Sequence, residues 1–192
     1  IGRRVSISFF LTVKGVQGHT ASAHRAENPA HHLINMLQKI IATPLDSGNE
    51  YFLPSSIQVP TFDIGNSAVN VIPEIATASI NIRFNDQHTN ESLIKWMQKH
   101  IDEIFMPLEN ANCSFTCDKT GESFLTKPGE LTQLMTKSIS EVTGQNRKPE
   151  LAKDGVTSSA RSIKNYCETA ELGIRNQTLH KVDEFVYLSD IK

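Results

Sequence analysis

Between Val5 and Lys14 apolar and polar residues mostly alternate, which predicts a half-exposed strand. Asn28-Pro29 then supplies a helix cap followed by proline at the first helical position. Ala30, Leu33, Ile34, Met36, Leu37, Ile40 and Ile41 recur at helical spacing to about Thr43, and Pro44 closes the run. Residues 55–64 form a second predicted strand, which Pro60 marks as an edge. Gly65-Asn66-Ser67 is a turn. Over 74–84 the alternation is clean, with Ile75, Thr77, Ser79, Asn81 and Arg83 on one face and Ala76, Ala78, Ile80, Ile82 and Phe84 on the other. Asn90-Glu91 opens a second amphipathic helix, whose apolar positions are Leu93, Ile94, Trp96, Met97, Ile101, Ile104 and Phe105. Residues 111–118 give one more short strand. Strand, helix, two strands, helix, strand is the order of a split-βαβ, ferredoxin-like sandwich, with two helices on one face of a sheet.

After Gly121 the pattern restarts. A helix is predicted from Pro128 to Val142, on Leu131, Leu134, Met135, Ile139 and Val142. A short strand near 148–152 follows, then Gly155-Val156-Thr157-Ser158-Ser159 leading into a short helix to about 164. A strand over roughly 168–174 and a polar loop from Arg175 to His180 complete the run. About 70 residues of such material bury too little surface to stand alone, so this segment is expected to need a partner segment that the chain lacks.

Composition narrows the class. A chain of 192 residues is one domain or two small ones. No apolar run approaches the roughly 20 residues of a membrane span, and Ile1-Gly2-Arg3-Arg4 has charges but no apolar stretch long enough for a signal peptide. A net charge of −2 carries no nucleic-acid footprint. The first residue is Ile1, and Ser189-Asp190 reads as a helix cap with no helix after it, so a fragment is expected. Cys113 and Cys117 are four residues apart on a strand, roughly 13 Å, too far for a disulfide. Cys167 is the odd one out, and the three thiols read as small apolar residues in a reducing cytoplasm.

Candidate chemistry is sparse from residue type alone. The histidines show no zinc-type spacing. His31 and His32 are adjacent on a helix and read as surface residues, as do His88 and His100. His19 ends Lys14-Gly15-Val16-Gln17-Gly18-His19, where two glycines permit a sharp turn, so it either caps a loop or serves a site. His180 sits in a polar loop, as a surface residue, a ligand or a general base. Arg83, between Ile82 and Phe84, lies on a solvated face or forks onto a carboxylate. Gly155 to Ser159 is an anion cradle or a plain cap.

Taken in order, nine segments carry a resemblance: Gly2-Arg3-Arg4, Gly15 to His19, Ala26-Glu27-Asn28-Pro29, Gly48-Asn49-Glu50-Tyr51-Phe52, Asn70-Val71-Ile72-Pro73, Asn81-Ile82-Arg83-Phe84, Phe124-Leu125-Thr126, Gly155 to Arg161, and Thr178 to Glu184. The whole chain resembles the C-terminal half of the succinyl-diaminopimelate desuccinylases. These belong to the dinuclear-zinc exopeptidase family, with the carboxypeptidase-G-like and aminoacylase-like enzymes. The resemblance implies an α/β (α+β) chain: residues 1–4 end a connection, 5–118 form a lid and dimerisation domain, and 119–192 form the C-terminal part of the catalytic domain. It implies two zinc ions per active site in the full-length enzymes, with cobalt possible, and His180 as a metal ligand. His19 and Asn70 match lid residues that reach into the partner subunit's site and stabilise an oxyanion. Arg3, Ser6, Arg83, Thr157 and Asn176 match positions that hold the substrate. The implied reaction is hydrolysis of the succinyl amide of N-succinyl-LL-2,6-diaminopimelate by a metal-activated water with a glutamate base. The implied partners are that small molecule, a second copy of the chain and the missing N-terminal half, with no nucleic acid and no membrane.

The chain departs from the family at several of these positions. The remaining metal ligands and the base are absent, and His180 alone cannot hold a site that needs about three protein ligands, so this chain alone is expected to be inactive. Val156 and Ser159 replace a glycine and an acid of the family's Gly-Gly-Thr-Ser-Asp, Ser22-Ala23 stands for Tyr-Pro, Val5 for Gly, and Val69 for Thr or Asn. Two other readings therefore stand beside the first. One is a relative acting on another N-acyl amino acid or dipeptide. The other is a dimerisation remnant without activity.

Overall fold

The computed structural model describes residues 2–143, 151, 159–173, 178 and 181–188. Strands β1 (Gly2–Arg3), β2 (Val5–Lys14) and β3 (Gly18–His19) lead through a 3-10 turn, Thr20–Arg25, to helix α1 (Pro29–Ala42). Strands β4 (Ser56–Asp63), β5 (Val71–Ile72) and β6 (Ile75–Phe84) precede helix α2 (Asn90–Phe105). Strands β7 (Asn112–Lys119) and β8 (Phe124–Leu125) then lead to α3 (Glu130–Thr143) and α4 (Ala160–Ile163).

The main sheet has the order β4-β6-β2-β7, antiparallel throughout. The two long central strands pair from Val5↔Phe84 to Lys14↔Ile75. Alternation decides the faces: Val5, Ile7, Phe9, Leu11 and Val13 are at most 1% exposed and meet Ile80, Ile82 and Phe84 from β6. Leu33, Met36 and Ile40 of α1 and Leu93, Met97 and Ile101 of α2 close the same core. Each such side chain contributes about 1.5–3 kcal/mol by leaving water. Asn28 Oδ1 caps α1 by accepting Ala30 N–H at 3.0 Å, and Thr89 and Ser92 cap α2 reciprocally. β4 is an edge, and its register shifts between Gln58 and Thr61, around Pro60. This is the split-βαβ sandwich the pattern predicts.

Some expectations change. His100 is only 7% exposed and its Nδ1 lies 2.9 Å from Trp96 O. It falls three residues after Met97, on the apolar stripe of α2, so the helix turns it inward. His88 and His32 are also partly covered: His88 Nε2 lies 3.1 Å from Asp46 Oδ2, and His32 Nε2 lies 2.5 Å from Glu27 Oε1. Residues 168–173 form no strand. A strand needs a hydrogen-bonded neighbour, and no ladder reaches them among the described residues. Residues 148–150 and 152 of the other predicted strand over 148–152, and residue 174 of this one, lie outside the described residues. Cys113 and Cys117 are half-buried against the core, and burial pushes the Cys113 thiol up to about 12. Cys167 is exposed.

Candidate functional site

The residues named from the sequence fall into two groups, at opposite ends of β2. The first group is His19 and Asn70. Gly15 and Gly18 allow the turn that leads to it: a Cβ on Gly15 would lie 2.1 Å from Glu27 O, and one on Gly18 2.6 Å from Ala26 Cβ. Val16 and Glu27 exchange backbone hydrogen bonds at 2.9 Å, which ties this turn to the start of α1. β3 pairs with β5, setting His19 opposite Val71, and Thr20 N–H donates to Asn70 O at 3.0 Å. The two candidate side chains are thus neighbours, and both residues are exposed. The His19 imidazole caps the 3-10 turn, its Nδ1 accepting Ala21 N–H at 3.0 Å. The neutral ring therefore carries its proton on Nε2, as an outward donor.

The second group is Ser6, Arg83 and Arg3. Ser6 and Arg83 face each other across β2 and β6 on the open side of the sheet. Thr120 fixes Ser6: its Oγ1 accepts Ser6 N–H at 3.0 Å and donates to Ser6 O at 2.8 Å. The Arg83 side chain makes no hydrogen bond or ion pair among the described residues. Arg3 pairs with Glu171, its Nε donating to Oε2 at 2.6 Å and its Nη2 reaching the same oxygen. Its Nη1 is buried without a partner among the described residues. From Ser6 to Lys14 the strand runs roughly 27 Å, and His19 lies beyond its far end. Thr157, Asn176 and His180 lie outside the described residues.

The sequence reading did not single out the network beside the second group. Asp46, with its side chain 5% exposed, accepts Gly48 N–H at 2.7 Å, Ser55 N–H at 3.1 Å and Asn85 Nδ2–H at 2.9 Å. Burial pushes its carboxyl up, but the hydrogen bonds from Ser55, Gly48 and Asn85 outweigh it and hold the group below its ordinary value. The network fastens the 46–55 loop, whose Phe52 packs on β1: a Cβ on Gly2 would lie 2.8 Å from the Phe52 ring. The signal was Asp46 two residues before Gly48, an Asx-turn spacing. An open cleft of about 700 Å3 adjoins this region, between Asp86, Phe124 and Lys164. Lys164 Nζ donates to Ser123 O at 2.7 Å, and burial lowers its pKa.

Among the described residues no group of three or more His, Cys, Asp or Glu side chains could hold a metal ion. The described residues therefore do not fit, by themselves, the metal centre that the resemblance implies.

Residues 1–108 match the M20 family model of the peptidase dimerisation domain. The chain belongs to the M20 family. A succinyl-diaminopimelate desuccinylase of Parvibaculum lavamentivorans is 45% identical over 192 residues, all of this chain and 48% of that protein. One from Ehrlichia canis is 46% identical over 191 residues, again 100% of this chain and 48% of the relative. The chain thus spans about half the length of the curated relatives it matches. An M20 metallo-carboxypeptidase of Sulfolobus solfataricus shares the fold, with a TM-score of 0.64 at 12% identity over 84% of this chain and 55% of that one.

Proposed function

We propose that this chain supplies the lid and the C-terminal part of the catalytic domain of a metal-dependent amidohydrolase. In this reading residues 5–118 are the lid and 119–192 the catalytic part, and the substrate is N-succinyl-LL-2,6-diaminopimelate, cleaved to succinate and LL-2,6-diaminopimelate. Similarity over the whole chain to relatives of that name supports it. The exposure of Leu134 (62%) and Val142 (82%) on α3 supports a further segment packing there. No helix among the described residues is long and apolar enough to cross a membrane, and a cytoplasmic setting fits the free thiols.

One observation carries the arrangement. His19 and Asn70 lie at one end of β2, and Ser6, Arg83 and Arg3 at the other. A small substrate cannot touch both ends of one protomer. A site using both groups takes His19 and Asn70 from one protomer and Arg83 from its partner. Edge strand β4 and the outer face of α1 suit the dimer contact: Phe62 is 41% exposed, Ile34 50% and Ile41 59%. α1 packs on β6 and β2, so these features share one flank.

His19 Nε2–H and the Asn70 amide donate to the oxygen that gains charge as the amide is attacked. Arg83 and Ser6, with the spare Nη1 of Arg3, grip the substrate's carboxylates, and Thr157 and Asn176 hold its remaining polar groups. His180 is one metal ligand; zinc or cobalt, when bound, activates water and polarises the amide. The isolated chain is expected to be inactive. A second reading, another N-acyl amino acid or dipeptide, draws on Ser22, which sits at a kink of the 3-10 turn, three residues from His19.

Mixed dimers test this. In the full-length polypeptide, His19→Ala and Arg83→Met homodimers lose activity. Co-refolded one to one, they regain about a quarter of wild-type turnover, because half the dimers are hybrids with one intact site of two. Failure to regain activity would place both groups in one protomer's site and overturn the arrangement. A wild-type protein that dimerises but never turns over substrate would favour the dimerisation remnant.

A further inference from the structure

Arg83 has a serine on each side. Register places Ser6 of β2 opposite it on one flank and Ser56 of β4 on the other. Ile57 and Val59 of β4 pack against the core, so Ser56 and Gln58 lie on the open face, where Arg83 also lies. Directly opposed residues of neighbouring strands hold their Cβ atoms roughly 5 Å apart. A carboxylate gripped by the Arg83 fork is therefore within reach of both hydroxyls.

We infer that Ser56 is a substrate-binding residue that completes a carboxylate subsite with Arg83 and Ser6. The inference rests on the reading above in which Arg83 binds a carboxylate of the substrate. The surroundings favour an anion. The Ser6–Arg83–Ser56 row contains no acidic residue. Asp118, the acidic residue that β7 brings to this side, stands opposite Ser8, one row further along and on the far side of β2. The next row, Ser8–Asn81–Gln58, is uncharged, and Asn81 Nδ2 already donates to Ser8 Oγ at 3.0 Å. Neither the Arg83 guanidinium nor the Ser56 hydroxyl has a hydrogen-bond partner among the described residues. Ser6, by contrast, is held by Thr120. Two hydroxyls flanking a guanidinium offer a planar anion donors on both sides of the fork. They select a carboxylate over its amide, which brings no charge for Arg83 to meet.

Steady-state kinetics of the full-length enzyme on N-succinyl-LL-2,6-diaminopimelate test this. Ser56→Ala is expected to raise KM about tenfold and leave kcat within about twofold, as loss of a charge-assisted hydrogen bond made equally in ground and transition states does. Ser56→Thr, which keeps the hydroxyl, is expected to restore KM. Arg83→Lys is expected to raise KM more than Ser56→Ala does. If Arg83→Lys raises KM while Ser56→Ala matches wild type, the Ser56 assignment falls and the Arg83 reading stands. If neither changes KM, the Arg83 reading itself falls. A fall in kcat or metal content for Ser56→Ala at unchanged KM would make Ser56 structural and overturn the inference.

Discussion

His19 Nδ1 accepts the backbone N–H of Ala21 at 3.0 Å, so one short hydrogen-bonded turn both aims the ring and selects its tautomer. In the proposed site a donor is thereby prepared before substrate arrives. In the full-length enzyme, His19→Ala is expected to lower kcat by about 100- to 1,000-fold with metal content unchanged. His180→Ala is expected to do the opposite and release metal. Metal analysis beside turnover separates the two. Zinc lost from the His19 variant would reverse the assignment.

The turn behind His19 has no room for a side chain at Gly15. The nearest atom to an added Cβ is a backbone oxygen, Glu27 O at 2.1 Å, in a segment that is itself paired with Val16. Gly15→Ala is therefore expected to cost about 1–3 kcal/mol in denaturant unfolding, and to lower kcat by displacing His19. Stability and rate both at wild-type values would show that the turn yields freely.

Asp46 gives the 46–55 loop an acid-sensitive fastening. Its folded-state pKa is lowered, because hydrogen bonds to the carboxylate outweigh burial. A lowered carboxylate pKa contributes stability that is fully present above the unfolded value, about 3.9, and is lost as pH falls through the folded value. Asp46→Asn is expected to destabilise the chain at pH 7 by about 1–3 kcal/mol. The gap to wild type should close below the folded pKa, as the wild-type carboxyl protonates. Urea unfolding across that range checks the sign, and a gap that widened in acid would contradict it.

The proposed dimer contact makes a prediction on the 192-residue chain itself. Ile34→Glu with Ile41→Glu places two charges on the exposed stripe of α1 without touching the core. Sedimentation is expected to show the wild-type chain as a dimer and the double variant as a folded monomer. A double variant that stays dimeric would move the contact to another face.

Much of the split-βαβ sandwich was legible along the chain. The period-two alternation at 5–14 and 75–84 and the helical spacing of Leu33, Met36, Leu37 and Ile40 report burial on one face, a local consequence of backbone geometry. Pro60 announced an edge because it cannot donate to a second neighbour. His19, Arg83 and Asn70 could be picked out, through two glycines, an arginine amid apolar residues and the family's motif order. What no window of sequence contains is the distance between them. Strand pairing placed His19 beside Asn70 and carried both to the far end of β2 from Ser6 and Arg83. The same pairing brought Ser56, an ordinary serine in the sequence, alongside Arg83 from 27 residues away. Among the described residues it runs no ladder to 168–173, which read as a strand. Side-chain direction is written in the local repeat, but register and neighbourhood come from hydrogen bonds between distant segments, and only the assembled sheet decides those.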